Sequence, residues 1–270
     1  MRRHRLLPGF GLTTGFTVLY VTLLVLIPLS MLVFKSASLG PAEFWRIATS
    51  DRALASYKVS FGTSFIAALI DAPIGLLIAW TLTRYTFPGR RVFDALIDLP
   101  FALPTAVTGI TLTTLYAENG WIGSKLSTLG IKVSYTPLGI VLALMFIGLP
   151  FVVRTVQPVL DGAERELEEA AETLGANRWQ KFRRVIFPSL LPAVVTGVGL
   201  AFSRGIGEYG SVVFISGNLP FKTEIAPLLI MTKLEEYNVP GATALALVLL
   251  TGSFIVLFVF NLLEQLCDVP

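Results

Sequence analysis

An all-α, polytopic membrane fold with six transmembrane helices is the architecture this sequence predicts, and three observations predict it. The first is composition: 54% of the 270 residues are hydrophobic and only 14% are charged, whereas soluble domains carry about 25% charge. The length alone would fit one or two soluble domains, but these proportions and a mean hydropathy of +0.72 do not. The second is a series of apolar runs long enough to cross a bilayer. The third is the uneven placement of the basic residues between those runs.

A helix needs about 20 apolar residues to span the hydrocarbon core. Six segments meet or approach that length: residues 13–34, 60–83, 93–116, 137–156, 190–216 and 242–263. The first follows Arg2-Arg3-His4-Arg5 and is too long for the apolar region of a signal peptide, so it reads as an uncleaved span. The third carries Asp94 and Asp98 at its start and is interrupted by Pro100 and Pro104, so an irregular start is expected, with the true span beginning near Leu99. Arg84, Arg90, Arg91, Arg154, Arg178, Lys181, Arg183 and Arg184 fall on the same side as the N-terminal arginines. An excess of basic residues marks the cytoplasmic side, which sets both termini inside.

Single copies of cysteine (Cys267) and histidine (His4) exclude an intramolecular disulfide and leave almost no material for a metal cluster or a catalytic triad. An integral-membrane enzyme is thereby disfavoured. The net charge of +3 is small and says little about nucleic acid, which is not expected as a partner. The whole chain, 1–270, reads as one membrane domain with a polar loop, 158–188, inside it.

That loop is a charged island between apolar runs. Asp161 can cap a helix whose third residue is Glu164, an arrangement close to a capping box. Glu164, Glu166, Glu168, Glu169 and Glu172 then occupy the part of the helix where the dipole favours anions. Ala170 and Ala171 leave a low surface that a neighbour can approach, and Gly175 can take the left-handed conformation that ends a helix. Arg178, Lys181, Arg183 and Arg184 suit an anionic inner leaflet. Pro188 marks the entry to the next span. A solvated acidic helix and a docking element for a soluble partner both fit this pattern.

Two polar signatures lie within the spans. In residues 96–109 the prolines remove backbone donors, while Thr105 and Thr108 can satisfy the carbonyls so released. In Arg204-Gly205-Ile206-Gly207-Glu208-Tyr209-Gly210, the two charges are four residues apart and share a helix face. Charges at membrane depth are costly and mark either an ion pair or a pathway; the two roles can coexist. Gly205-x-Gly207-x-x-Gly210 formally matches a dinucleotide fingerprint, but no strand precedes it. Gly197, Ala201 and Gly205 recur every fourth residue and allow close helix approach, against other helices of the chain or at a subunit interface. Asp71 reads as a helix-interior polar contact.

The spacing of the island is itself diagnostic. Glu169-Ala170-Ala171, three residues, Gly175, nine residues, Val185, one residue, Phe187-Pro188 resembles the EAA loop of ABC-importer permeases, with Val185 and Phe187 where the family has Ile and Leu. Residues 96–109 and 204–210 are similar to segments of sulfate/thiosulfate importer permeases, and of their permease pair the chain is most similar to the T-type subunit. The likeness runs from Leu7-Pro8-Gly9-Phe10 through residues 150–160 to Gly217-Asn218.

The resemblance implies a type I ABC-importer permease fold in a bacterial inner membrane, in contact with membrane lipid. It implies a coupling helix built on Glu169, Ala170, Ala171, Gly175 and Pro188 and seated on an ATP-binding subunit. Thr105, Thr108, Ser203, Arg204 and Glu208 are the implied pathway residues for a small dianion. The chain has no Gly-x-x-x-x-Gly-Lys-Ser/Thr loop, so ATP and Mg are expected in the partner ATPase and no cofactor in this chain. Implied partners are an ATPase homodimer, a second homologous permease and a periplasmic sulfate-binding protein received by the loop 217–240. A molybdate or tungstate permease is the alternative within this class. An ion-gradient-driven secondary transporter is the alternative outside it, though no internal repeat of inverted halves is evident.

Overall fold

A computed structural model describes residues 10–162 and 165–267. Among them every regular element is a helix: α1 Phe10–Ala37, α2 Pro41–Ala48, α3 Asp51–Arg84, α4 Arg90–Ile97, α5 Leu99–Ala102, α6 Thr105–Tyr116, α7 Gly123–Ser127, α8 Pro137–Gly162, α9 Arg165–Thr173, α10 Arg178–Ile206, α11 Val212–Ile215, α12 Ala226–Glu235 and α13 Val239–Cys267. Of these, α1, α3, α8, α10 and α13 are long and apolar enough to cross a membrane as single rods. The third expected span is not a rod.

Proline chemistry explains that departure. The segment 93–116 is divided among α4, α5 and α6. Leu103 is extended, at φ −84° and ψ 135°, as the residue before a proline prefers, and the long stretch of this crossing begins only at Thr105, beyond the Leu99 expected from sequence. The fifth span also ends earlier than expected. Its helix stops at Ile206 rather than Ser216, and a non-helical stretch precedes α11. Gly205, Gly207 and Gly210 cluster at this end, where glycine costs a helix about 1 kcal/mol per residue.

Two other prolines are absorbed without a break. Within α1 the turn Thr22–Leu26 is widened to π geometry, with the Ile27 amide donating to the Thr22 carbonyl. Within α10 the turn Phe182–Ile186 does the same, with the Phe187 amide donating to Phe182. Each widened turn lies just ahead of a proline, Pro28 or Pro188, and a one-residue bulge relieves the clash between a proline ring and the preceding turn. Pro188 is therefore not where the span begins. The helix runs unbroken through it from Arg178.

The core is a three-helix junction of α3, α8 and α10, closed by Ala68, Ala79, Val152, Val153, Val156, Leu190, Ala201 and Phe202. Gly197 has no room for a Cβ, which would meet the Val152 backbone at 2.8 Å. The stripe of small residues on α10 is thus used inside this chain, with Gly197 against α8 and Gly205 against Ser64 of α3. α13 packs on α10, and α1 lies outermost against α13, with no residue of its most apolar stretch buried. Asp71 is buried at the α3–α8 contact opposite Gly148. The expected polar contact is not made through its Oδ2, which lacks a hydrogen-bond partner among the described residues.

Candidate coupling surface and translocation pathway

α9 projects from the end of α8 and is terminated by its glycine. The Leu174 amide donates to Ala170 (3.1 Å), that of Gly175 to Glu172 (2.9 Å) and that of Ala176 to Ala171 (3.0 Å). Gly175 sits at φ +83°, and the six-to-one bond from Ala176 is the mark of a Schellman ending, which favours glycine there. The chain then restarts through a capping box that the sequence reading missed. The Gln180 amide donates to Asn177 Oδ1 and the Asn177 amide to Gln180 Oε1, both at 2.9 Å. Asn-x-x-Gln is the readable signal for it. Asp161 is not a cap, because it lies within α8. Glu164 lies outside the described residues, as does the side chain of Glu166.

Contacts distant in sequence fix the orientation of α9. Glu168 accepts from Arg84 Nη2 at 2.5 Å, and the Arg84 guanidinium lies over the Trp80 ring at 5.5 Å. Trp80 in turn meets Phe182 edge-on at 5.7 Å. Lys181 Nζ reaches Glu172 at 2.5 Å and Glu168 at 3.8 Å. The hydrogen bond and charge of Lys181 hold the Glu172 carboxyl below its usual range. With Glu168 turned to the protein, Glu169, Ala170 and Glu172 are left exposed and Ala171 partly so. Beside them Leu167 is 57% exposed, Leu174 88% and Trp179 67%. An apolar patch set among carboxylates at the end of the bundle is a surface made for contact.

The second site is where the broken segment 93–116 meets the end of α10. α6 packs against α11. A Cβ on Gly109 would collide with the Ser211 backbone, and one on Gly210 with the Thr105 side chain. Between them Glu208 is 3% exposed. Its Oε1 accepts from the Ser211 amide (2.9 Å) and hydroxyl (3.0 Å), and its Oε2 pairs with Arg204 Nη1 at 2.7 Å. The Arg204–Glu208 pair therefore forms, but across the end of α10 rather than along a helix face, since Glu208 is outside the helix. Arg204 keeps 38% of its side chain exposed. Thr105, Thr108, Arg204 and Glu208 share this locus. Ser203 is not tied into it by a hydrogen bond, and its Oγ is buried without a partner among the described residues. No three His, Cys, Asp or Glu side chains among the described residues converge on a metal-sized site.

The bundle, with a glycine-ended helix outside it and an ion-paired break inside it, has the apolar helices of a multi-pass membrane protein. Over residues 71–268 the sequence matches the binding-protein-dependent transport system inner membrane component family, and the chain belongs to that family. It is 51% identical over 262 residues to the sulfate transport system permease protein CysT of Escherichia coli strain K12, covering 97% of this chain and 95% of that one. It is 50% identical over 249 residues to the CysT protein of Synechocystis, covering 92% and 87%. Among solved structures, a bacterial ABC transporter that imports alginate contains a chain of similar fold. Its TM-score is 0.78 at 14% identity, covering 97% of both chains. The same transporter in complex with an alginate-pentasaccharide-bound periplasmic protein gives 0.79 at 15% identity, covering 97% of this chain and 96% of that one.

Proposed function

We propose that this chain is the translocating subunit of an ATP-driven importer that carries sulfate or thiosulfate inward across a bacterial inner membrane. The carrying observation is the 51% identity to a sulfate permease across 97% of the chain. With both termini cytoplasmic, as the basic residues favour, α9 hangs in the cytoplasm and offers Leu167, Ala170 and Leu174 to a cleft on an ATP-binding subunit. Glu169 and Ala171 flank that contact, Gly175 turns the chain back, and the capping box at Asn177 starts α10. Closure of two ATPase subunits around ATP and Mg would draw on α9 and bias the bundle from inward- to outward-facing, a rigid-body alternation.

At the pathway, Glu208 neutralises Arg204 locally while leaving much of its guanidinium accessible. That arrangement attracts a dianion without trapping it. Thr105 and Thr108 supply hydroxyl donors, Ser203 could do so only if its buried hydroxyl were uncovered, and selectivity rests mainly with a periplasmic binding protein delivered to the outer loop around α12. A second, homologous permease completes the pathway.

Proteoliposomes containing the co-purified importer test the reading. Radiolabelled sulfate should accumulate only with ATP and the loaded binding protein. Accumulation of molybdate without sulfate would contradict the assigned cargo, and sulfate uptake that persists without the ATPase would contradict the assigned energy source.

A further inference from the structure

At the α9 end of the bundle every guanidinium donor of Arg154 is engaged. Nε and Nη2 fork onto the Asp98 carboxylate at 2.8 and 2.5 Å. Nη1 reaches Asp94 Oδ1 at 2.7 Å and Gln157 Oε1 at 2.6 Å. Nη2 also donates to the Asp94 carbonyl at 2.9 Å, and Gln157 Nε2 returns to Asp94 Oδ1 at 3.3 Å. An arginine has five N–H donors in a rigid fork, so this side chain has one geometry and none to spare.

Where those bonds go matters more than how many there are. Asp98 is the single residue between α4 and α5, the short helices that precede the extended break at Leu103. Arg154 is on α8, the helix that leads into α9, between Pro150 and Pro158. Each proline deletes a helical hydrogen bond, and Pro158 leaves the carbonyl of Arg154 itself without its normal donor. The stretch between them lacks these helical bonds; Val152, Val153 and Val156 hold one face of it in the core, and Arg154 ties it to the other broken element as well.

Stability is a poor reason for such a network. The side chains of Arg154, Asp94 and Asp98 are 32%, 44% and 47% exposed, and ion pairs that open to solvent add little. Fork geometry is, however, well suited to fixing orientation. We propose that Arg154 is the positioning residue through which movement of α9 reaches the pathway: it makes α8 and α4–α5 move as one body, so that displacement of the contact helix carries the break that leads to Thr105 and Thr108. This rests on the coupling of α9 to an ATPase proposed above.

The test uses the intact importer, with Arg154→Ala, Arg154→Lys and Asp98→Asn. Sulfate taken up per ATP hydrolysed should fall in Arg154→Ala by roughly 5–150-fold, the usual range of coupling between sites, while the ATPase co-purifies in undiminished amount. Arg154→Lys should fall in between, because an ammonium keeps the charge but loses the fork. Spin labels at Val92→Cys and Asp161→Cys, with Cys267→Ser, should give the same distance in nucleotide-free and ATP-trapped states. In Arg154→Ala that distance should differ between the two states. If Arg154→Ala fails to assemble, the lysine and Asp98→Asn forms carry the same test. Unchanged coupling in the variants, or a distance that shifts between states in the unaltered importer, would overturn the clamp and leave ATPase docking intact. Absence of an ATPase from the unaltered complex would overturn both.

Discussion

Helix α9 and the break at Glu208 both depend on ion pairs, but in different surroundings. Around α9 the Glu172 end of the Lys181–Glu172 pair is open to solvent, so that pair orients a surface at small energetic cost or gain, whereas Arg84–Glu168 beside it is largely buried. At the break, Glu208 is buried with Arg204 and Ser211 as its partners. Breaking a fully buried pair costs about 3–5 kcal/mol, and the partial exposure of Arg204 reduces that here. The difference teaches that charge density in this sequence is a poor guide to where charge is structurally critical. Within the island the exposed Glu172 is expected to tolerate change, whereas Glu208 is not.

Substitutions that exchange these roles would break the comparison. The largest effect is expected for Glu208→Ala, which orphans the Arg204 guanidinium and the Ser211 amide together. Loss of the permease from detergent-extracted membranes, measured by immunoblot, is the expected result. Arg204→Ala should be milder for assembly, since the Glu208 carboxylate keeps its Ser211 donors, yet sulfate uptake should drop well below that of the parent. Uptake equal to the parent would remove Arg204 from the pathway.

At the other site, Gly175→Val places a β-branched residue at φ +83°, a conformation that costs an L-residue about 1–2 kcal/mol. The permease should still accumulate in the membrane, but co-purified ATPase should fall sharply. The smallest effect belongs to Glu172→Gln. It removes only the exposed Lys181 pair, and exposed pairs contribute little, so ATPase recovery should be unchanged. The carboxyl of Glu172 is held below its usual range by Lys181, so whatever the pair adds is present at neutral pH and lost as pH falls through that lowered value. ATPase recovery that tracked this titration would make the pair part of the dock.

The legible and illegible features divide along physical lines. Spans showed as apolar runs because bilayer thickness imposes a length, and the ending of α9 showed as Gly175 because a left-handed residue selects glycine. The prolines at 100 and 104 announced an interruption, but not that it would split the crossing into three helices. Pro28 and Pro188 look the same in sequence, yet each is absorbed by a widened turn, because the neighbouring turn can expand where the chain is not also forced to change direction. The small residues of α10 were readable as a packing stripe, though not which helices it would meet. Least visible were Arg84–Glu168 and Arg154–Asp98. Their partners are far apart along the chain, and no local periodicity encodes which arginine meets which carboxylate.

The most direct measurement of the central claim is site-specific cross-linking from the exposed face of α9. A cysteine at Ala170, in a chain carrying Cys267→Ser, would bear a short bifunctional reagent in membranes from cells expressing the whole importer, with the product identified by mass spectrometry. The account predicts a single adduct with a nucleotide-binding subunit. An adduct with a periplasmic binding protein, or none beyond lipid, would contradict both the docking role of α9 and the inward orientation on which it depends.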